Sequence, residues 1–403
     1  MNKIILPKGA SYIISELNKR GFEAYIVGGC VRDYLLGKTP KDWDITTSAL
    51  PEQVKATFSH TYDTGIEHGT VTVLIGKTGY EVTTYRIDGE YMDNRHPKSV
   101  VFTSKLEGDL ARRDFTINAM AYNEDNGVVD KFGGLEDLKN GIIRAVREPE
   151  ERFREDALRM MRALRFSAQL GFEIEEKTLQ AIADNAHLIK NISGERIRDE
   201  MLKMLLSDNP LKIYELRAVG LTDNFMPLFS RILGEREKLI KDCLEKTHAD
   251  AIKRLALIFH GLDFKDLQKV LKQLKLDNKT LKSVLTLSKY MNLEMDTGEY
   301  GIRKLISETS YDDVERIIYM RGIIGSDKQG NETMAVFEKI KQRGDCCFIK
   351  ELAVDGNILM ELGVPSGSEV GAMLKKCLDE VLRNPMNNNR EYLIKEVCGL
   401  CMH

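Results

Sequence analysis

The sequence predicts an α+β N-terminal head with a mixed sheet, followed by an all-α C-terminal region. Three observations predict it. Short β-branched segments are confined to the first 145 residues. From Pro149 onward the apolar residues take helical spacing and almost no strand signal remains. The chain has 403 residues, of which 42% are hydrophobic, enough for two to four domains with real cores. The expected division is 1–145, 146–210, 211–290 and 291–403.

The elements follow in order. AYIVGG (24–29) reads as a strand running into two glycines, and CVRDYLLG (30–37) as a helical turn. WDITTS (43–48), TVTVLIG (70–76) and YEVTTYR (80–86) are β-branched strands. SVVFTS (99–104) and NAMAY (118–122) carry a weaker strand signal. DGEYMDNRHPKS (88–99) is polar, charged and contains proline, so it reads as an exposed, mobile loop. REDALRMMRALRFSAQLG (154–171) and ERIRDEMLKMLLS (195–207) are helical by spacing.

Composition narrows the classes. Charged residues make up 30% of the chain but the net charge is only -3, which does not advertise a polyanionic partner. No apolar run approaches the roughly 20 residues a membrane span needs, and MNKIILPKGASYIISEL lacks a small-residue cleavage site. No membrane association and no signal peptide are expected. The seven cysteines are scattered and odd in number, which points to a reducing cytoplasm. Cys398-x-x-Cys401 has no second pair to complete a zinc site.

The chemistry gathers in YIVGGCVRDYLLGKTPKDWDITTS (25–48). If Asp42 and Asp44 alternate on a strand, their side chains share one face. Paired carboxylates repel unless a cation sits between them, and such a pair is a natural seat for Mg²⁺ shared with substrate phosphates. Gly28 and Gly29, between a strand and a helix start, let backbone N–H groups approach a triphosphate, and Arg32 adds a charged donor. Glu81, on a later strand, is the candidate third carboxylate. GKT occurs at 37–39 and 76–78, but the positions five before each glycine are Arg32 and Val71, so neither is a P-loop.

With GG-x-V-R-D-x-L-L-G followed by D-x-D, the chain resembles the polymerase β superfamily of nucleotidyltransferases. More narrowly, it resembles the class II tRNA nucleotidyltransferases and their poly(A) polymerase relatives. RRDFTINAMAY (112–122), DKFGGLEDL (130–138), RFREDALRMMRALRF (152–166) and SGERIRDEMLKML (193–205) are similar to further motifs of that family, in the same order. The resemblance is dense over 22–206, and ELAVDGNILMELGVPSG (351–367) is similar to the tail of bacterial members. It implies a polymerase β-like head, a helical neck, a body, and a tail that grips the acceptor and T arms of tRNA. It implies template-independent addition of C, C and A from CTP and ATP by two-metal chemistry with Mg²⁺. Arg113, Arg159, Arg162 and Arg165 match positions that contact the incoming nucleotide. A-addition is expected because the loop at 88–99 is full length, with Asp88, Glu90, Asp93 and Arg95. The tail VCGLCMH has no basic extension of the poly(A) polymerase kind, and no His-Asp dipeptide suggests a phosphohydrolase.

Asp156 and Arg159 add a physical argument about base choice. Three apart on a helical segment, they share a face. Aspartate accepts and arginine only donates, so a matching base must offer an amino group beside an unprotonated ring nitrogen. Cytosine and adenine do; guanine and uracil do not. Arg159, Arg162 and Arg165 recur every three residues and should repel unless an anion or base lies among them. The stretch 262–290 has seven lysines and three acids, a candidate phosphate-contacting face. A regulator with an inactive core and a purely RNA-binding protein are the rival classes; intact Asp42, Asp44 and Arg32 argue against both.

Overall fold

The computed structural model describes residues 4–88, 100–291, 293–325 and 330–399. The chain forms two compact units, Met1–Arg231 and Ile232–His403.

In the first unit, α1 (Lys8–Lys19) buries Ala10, Ile13, Ile14 and Leu17, one face of a 3.6-residue period. Complete burial of Ile13 and Leu17 contributes about 1.5–3 kcal/mol each. There follow β1 (Ala24–Val27), α2 (Gly29–Leu35), β2 (Ile45–Thr47), α3 (Pro51–Thr57), β3 (Thr61–Gly65), β4 (Thr70–Ile75) and β5 (Thr78–Thr84). Next come β6 (Arg86–Asp88), β7 (Val100–Phe102), α4 (Leu106–Ala111), β8 (Met120–Asn123), β9 (Gly127–Asp130), α5 (Gly134–Asn140) and β10 (Ile142–Ile143).

Seven strands form one mixed sheet in the order β3-β4-β5-β2-β1-β8-β9. Only the β2–β5 pair is parallel among the described strands of that sheet. α1 packs against β1, β2 and β5. A core cluster joins Tyr25 and Val27 of β1 to Tyr85, Leu110, Ala119, Ala121 and Val146. β1 lies inside the sheet and all four of its residues are buried. The chain leaving β1 at Gly28 is therefore held by strands on both sides.

The strand expected at 99–104 is present as β7 and pairs with β6 in a ribbon separate from the main sheet. One strand expectation needs correction. Asp42 and Asp44 are not on β2, which begins at Ile45; they lie in the chain that approaches it. The loop expected at 88–99 falls, from residue 89 on, outside the described residues.

The helical segment begins with α6 (Pro149–Glu155) and α7 (Leu158–Leu170). A single helix is expected across 154–171, but the chain breaks at Asp156, whose backbone is extended (φ -136°, ψ 103°). β11 (Glu173–Ile174) then pairs in parallel with β10, a short strand the spacing does not reveal. α8 (Glu176–Asn185) and α9 (Gly194–Leu205) follow, and α9 packs on α7.

In the second unit the described residues are helical. Asp250, Asp263, Asp277, Ser310 and Asp355 each accept a backbone N–H at a helix start, the expected use of short polar side chains there. The buried Arg303 is held by Asp345 at 3.0 Å and by the Leu382 carbonyl at 2.6 Å. The lysine-rich stretch forms Phe264–Gln273 and Asn278–Tyr290. All seven of its lysines are exposed while Leu267, Val270, Leu271 and Leu274 are buried. No described helix is long and apolar enough to cross a membrane.

The segment DKFGGLEDL shows how local chemistry shapes the head. Asp130 accepts the N–H groups of Phe132, Gly134 and Leu135, closing a tight turn into α5. A Cβ on Gly134 would lie 2.3 Å from the Thr116 carbonyl oxygen and 2.9 Å from Met120 Cγ. Gly134→Ala should therefore destabilise the head by about 1–3 kcal/mol, the usual cost of overpacking, read as a lower urea midpoint at unchanged slope.

Candidate functional site

The site is built where β1 ends. Gly28 takes φ +81°, a conformation that disfavours a Cβ, and a Cβ there would lie 2.7 Å from Arg113 Nη1. The backbone conformation is the constraint that favours glycine, since the tip of the Arg113 side chain can shift. The Gly28 N–H donates to the Met120 carbonyl at 3.0 Å, and the Val27 N–H donates to the Asp44 carbonyl at 3.0 Å. The second bond ties Asp44 to the glycine turn although Asp44 precedes β2. Parallel pairing of Ile45 with Val82 sets Glu81 beside Asp44 on the neighbouring strand.

Asp42, Asp44 and Glu81 line one cleft of about 610 Å³. The Asp44 residue is exposed, yet its carboxyl loses enough hydration to sit above its ordinary pKa. Desolvation is the first cause; the Glu81 and Asp42 charges add to it, and the Arg113 charge opposes it. No ion pair or side-chain hydrogen bond to these three carboxylates is found among the described residues. Three acceptor-only groups without a donor suit a hard cation with oxygen ligands. No group of three His, Cys, Asp or Glu among the described residues forms a ready metal cage.

A cationic layer lies beside the turn. Buried Arg32 donates to Asn118 Oδ1 at 2.6 Å and pairs with Asp33 at 2.7 Å. Arg113 pairs with Asp109 at 3.4 Å. Asp109 is buried and also accepts from Arg112 and from Thr46 of β2, so the sheet anchors this pair. Asp114 accepts from Asn118 at 3.0 Å, from the Phe115 N–H at 2.9 Å and from Arg162 at 2.7 and 2.5 Å. One chain of contacts thus runs from Arg32 through Asn118 and Asp114 to Arg162. The guanidinium carbons of Arg165, Arg32 and Arg162 lie 3.6, 4.9 and 5.4 Å from the centre of the Phe166 ring, whose face favours cations.

The expected repulsion among Arg159, Arg162 and Arg165 is resolved inside the protein. Arg159 pairs with Glu155 at 2.6 Å, Arg162 with Asp114, and Arg165 with Glu200 at 2.5 Å. Each arginine has its own carboxylate, so no bound anion is needed to assemble them.

Asp156 and Arg159 do not form an isolated pair on one helix face, because the helix breaks at Asp156. Asp156 accepts from Arg196 at 2.9 and 3.4 Å and from the Leu158 N–H at 3.1 Å. Arg159 donates to Glu155, to the Arg152 carbonyl at 3.2 Å and to the Arg112 carbonyl at 2.9 Å. Both side chains are engaged with protein groups. Sequence reasoning missed Asp109, Asp114, Asn118, Phe166, Arg196 and Glu200. Asp114 and Asn118 stand inside RRDFTINAM, and the polar residues of that stretch were the available signal.

Comparison with known proteins bears on this geometry. A family profile described as "Poly A polymerase head domain" matches residues 24–144, and a tRNA nucleotidyltransferase domain 2 profile matches 246–397. Between them, 171–233 match "Probable RNA and SrmB- binding site of polymerase A". The chain is 41% identical over 398 residues to a CCA-adding enzyme of Ligilactobacillus salivarius, covering 96% of this chain and 95% of that one. The chain belongs to the CCA-adding enzyme family. A CCA-adding enzyme of Lactobacillus helveticus is 39% identical over 388 residues, covering 95% of this chain and 94% of the relative. The crystal structure of the Bacillus stearothermophilus CCA-adding enzyme in complex with CTP superposes with a TM-score of 0.80 at 34% identity, covering 97% of this chain and 98% of that one. The fold also matches, at 22% identity and a TM-score of 0.61, a Thermotoga maritima CCA-adding enzyme complexed with tRNA; 98% of this chain and 96% of that one are covered. The chain is a nucleotidyltransferase with a polymerase β-like head, and such enzymes use a divalent metal.

The buried Asp114 gives a pH prediction. Burial alone would raise its pKa; Arg162 and the hydrogen bonds from Asn118 and Arg162 outweigh that and hold it well below 3.8. A lowered native pKa stabilises the fold above the unfolded value and loses that contribution as pH falls through the native one. Asp114→Asn should cost about 3–5 kcal/mol near neutrality, because it leaves Arg162 unpaired. Thermal unfolding should show the gap from wild type narrowing below about pH 4, the ordinary range of an unfolded aspartate.

Proposed function

We propose that this chain adds C, C and A to the 3′ end of tRNA without a template, using CTP and ATP and releasing pyrophosphate. The observation that carries the reading is the gathering of Asp42, Asp44 and Glu81 in one cleft beside the Gly28 turn, with Arg113 against that turn. In this reading Asp42 and Asp44 hold Mg²⁺, with Glu81 as the third carboxylate. When bound, the metal supplies charge stabilisation to the attacking and leaving oxygens.

The chain's own groups do the rest. The glycine turn brings backbone close to the phosphates, and Arg32 and Arg113 hold them by charge-assisted hydrogen bonds. The tRNA 3′ oxygen forms a bond to the α-phosphorus while the bond to the bridging oxygen breaks. Pyrophosphate takes the electron pair and the hydroxyl proton leaves to water. Positioning and fixed charge are what such a transfer needs from a protein.

Base choice falls to Asp156 and Arg159. Cytosine and adenine offer Asp156 an amino donor and Arg159 an unprotonated ring nitrogen. Guanine and uracil present a carbonyl to the carboxylate and a ring N–H to the guanidinium. The base takes over contacts that Arg196, Glu155 and the Arg152 and Arg112 carbonyls make without it. Arg162 and Arg165 complete the nucleotide-binding wall. We read 1–145 as catalytic head, 146–210 as neck, 211–290 as body and 291–403 as a tail gripping the acceptor and T arms.

Incubation with tRNA lacking its 3′ end, Mg²⁺ and each labelled nucleotide tests the reading. Addition of C and then A, stopping there, is the expected result. Long A tails would instead indicate a poly(A) polymerase, and no incorporation would indicate a binding protein. Asp42→Ala should reduce incorporation about 10³-fold or more, given the several kcal/mol of charge stabilisation a held metal contributes, with an unchanged unfolding midpoint. Arg159→Met should shrink the preference for CTP over UTP about tenfold or more, since a good base contact discriminates by roughly 1–3 kcal/mol. A preference retained in that variant would remove Arg159 from base selection.

A further inference from the structure

The cleft that holds Asp42, Asp44 and Glu81 has a second character. Besides these acids, it is lined by Trp43, Tyr80 and Lys41. None of Arg32, Arg113, Arg162 or Arg165 lines it. The Arg113 charge still reaches Asp44, so the acids stand where the cleft and the arginine layer meet. Tyr80 is buried against Gly9 of α1, where a Cβ would come within 2.6 Å of its ring. Trp43 is partly buried and lines the cleft.

In the functional reading the triphosphate reaches the acids through the cation they hold. The end of an RNA chain offers what the remaining walls can meet, a base with a flat face for an aromatic ring and a phosphodiester for a lysine. An in-line displacement also requires the attacking hydroxyl and the leaving pyrophosphate on opposite sides of the α-phosphorus.

We propose that Trp43 is the platform on which the 3′-terminal base of the acceptor RNA stacks. The terminal ribose then lies toward Asp44 and Glu81, and Lys41 meets the preceding phosphodiester. This rests on the functional reading above and extends it from the incoming nucleotide to the acceptor. Stacking on an aromatic ring is tolerant of base identity. That tolerance suits an acceptor whose last base changes after every addition.

Trp43 is the chain's single tryptophan, so the emission of the unmodified protein reports on this ring alone. The wild-type protein, without nucleotide, is titrated with an RNA hairpin carrying a single-stranded 3′ nucleotide and with the same hairpin made blunt. Saturable quenching by the first and not by the second is expected. In steady-state kinetics Trp43→Ala should raise the acceptor KM about tenfold or more, the scale of one lost base–aromatic stack. The KM for CTP should stay within about twofold and Trp43→Phe should recover most of the loss, as expected of a role confined to stacking. Unchanged emission with either hairpin, in a protein that adds nucleotides, overturns the proposal and leaves the functional reading standing. A wild-type protein that adds no nucleotide at all overturns both. If Trp43→Ala does not fold, the titration of the wild-type protein decides alone.

Discussion

Asp114 is an anion held inside the protein, and the cationic half of the site depends on it. An unpaired buried carboxylate would cost several kcal/mol. This one is satisfied on every side by Arg162, Asn118 and the Phe115 N–H. The satisfaction has consequences beyond stability. Asn118 can accept from Arg32 because its amide nitrogen is already committed to Asp114. Arg162 lies near the Phe166 ring while Asp114 holds its guanidinium. Arg32 near the glycine turn and Arg162 on α7 are thereby fixed relative to one another, 130 positions apart in sequence.

The two halves of the site follow opposite electrostatic rules. The arginines are neutralised one by one by protein carboxylates, so the layer can stand assembled before any ligand arrives. Among the described residues the carboxylates of the cleft have no such partners, and Asp44 sits above its ordinary pKa, first through desolvation and further through the Glu81 and Asp42 charges. One half is neutralised within the protein, and the other is not. Gly28 lies between them, with Arg113 against its α-carbon and the Asp44 carbonyl tied to the preceding residue.

Much of this was legible in the sequence. The strands at 24–27, 45–47, 70–75 and 78–84 announce themselves by β-branched residues, and the helices after Pro149 by spacing. Asp42, Asp44, Gly28 and Arg32 stand out because the strand–glycine–helix order and the paired acids lie within about twenty residues of one another. The break at Asp156 was not legible. RFREDALRMMRALRF contains no proline or glycine, and its residues favour a helix throughout. What accompanies the break is a tertiary partner: Arg196 of α9 holds the Asp156 carboxylate, and that carboxylate caps Leu158 of a new helix. Nor could the arginine ladder reveal its counter-charges, since Asp114 and Glu200 lie 48 and 35 positions from the arginines they meet.

The sequence by itself determined the elements, the family resemblance and the inventory of charged groups. Those depend on local propensity and on patterns within a few dozen residues. Tertiary structure alone decided which charges meet. Glu81 joins Asp44 through strand pairing, Arg32 reaches Arg162 through two side chains of another segment, and Asp156 leaves its helix for Arg196. Coulomb interactions and hydrogen bonds act over a few ångströms of space regardless of separation along the chain, so only the folded chain defines them.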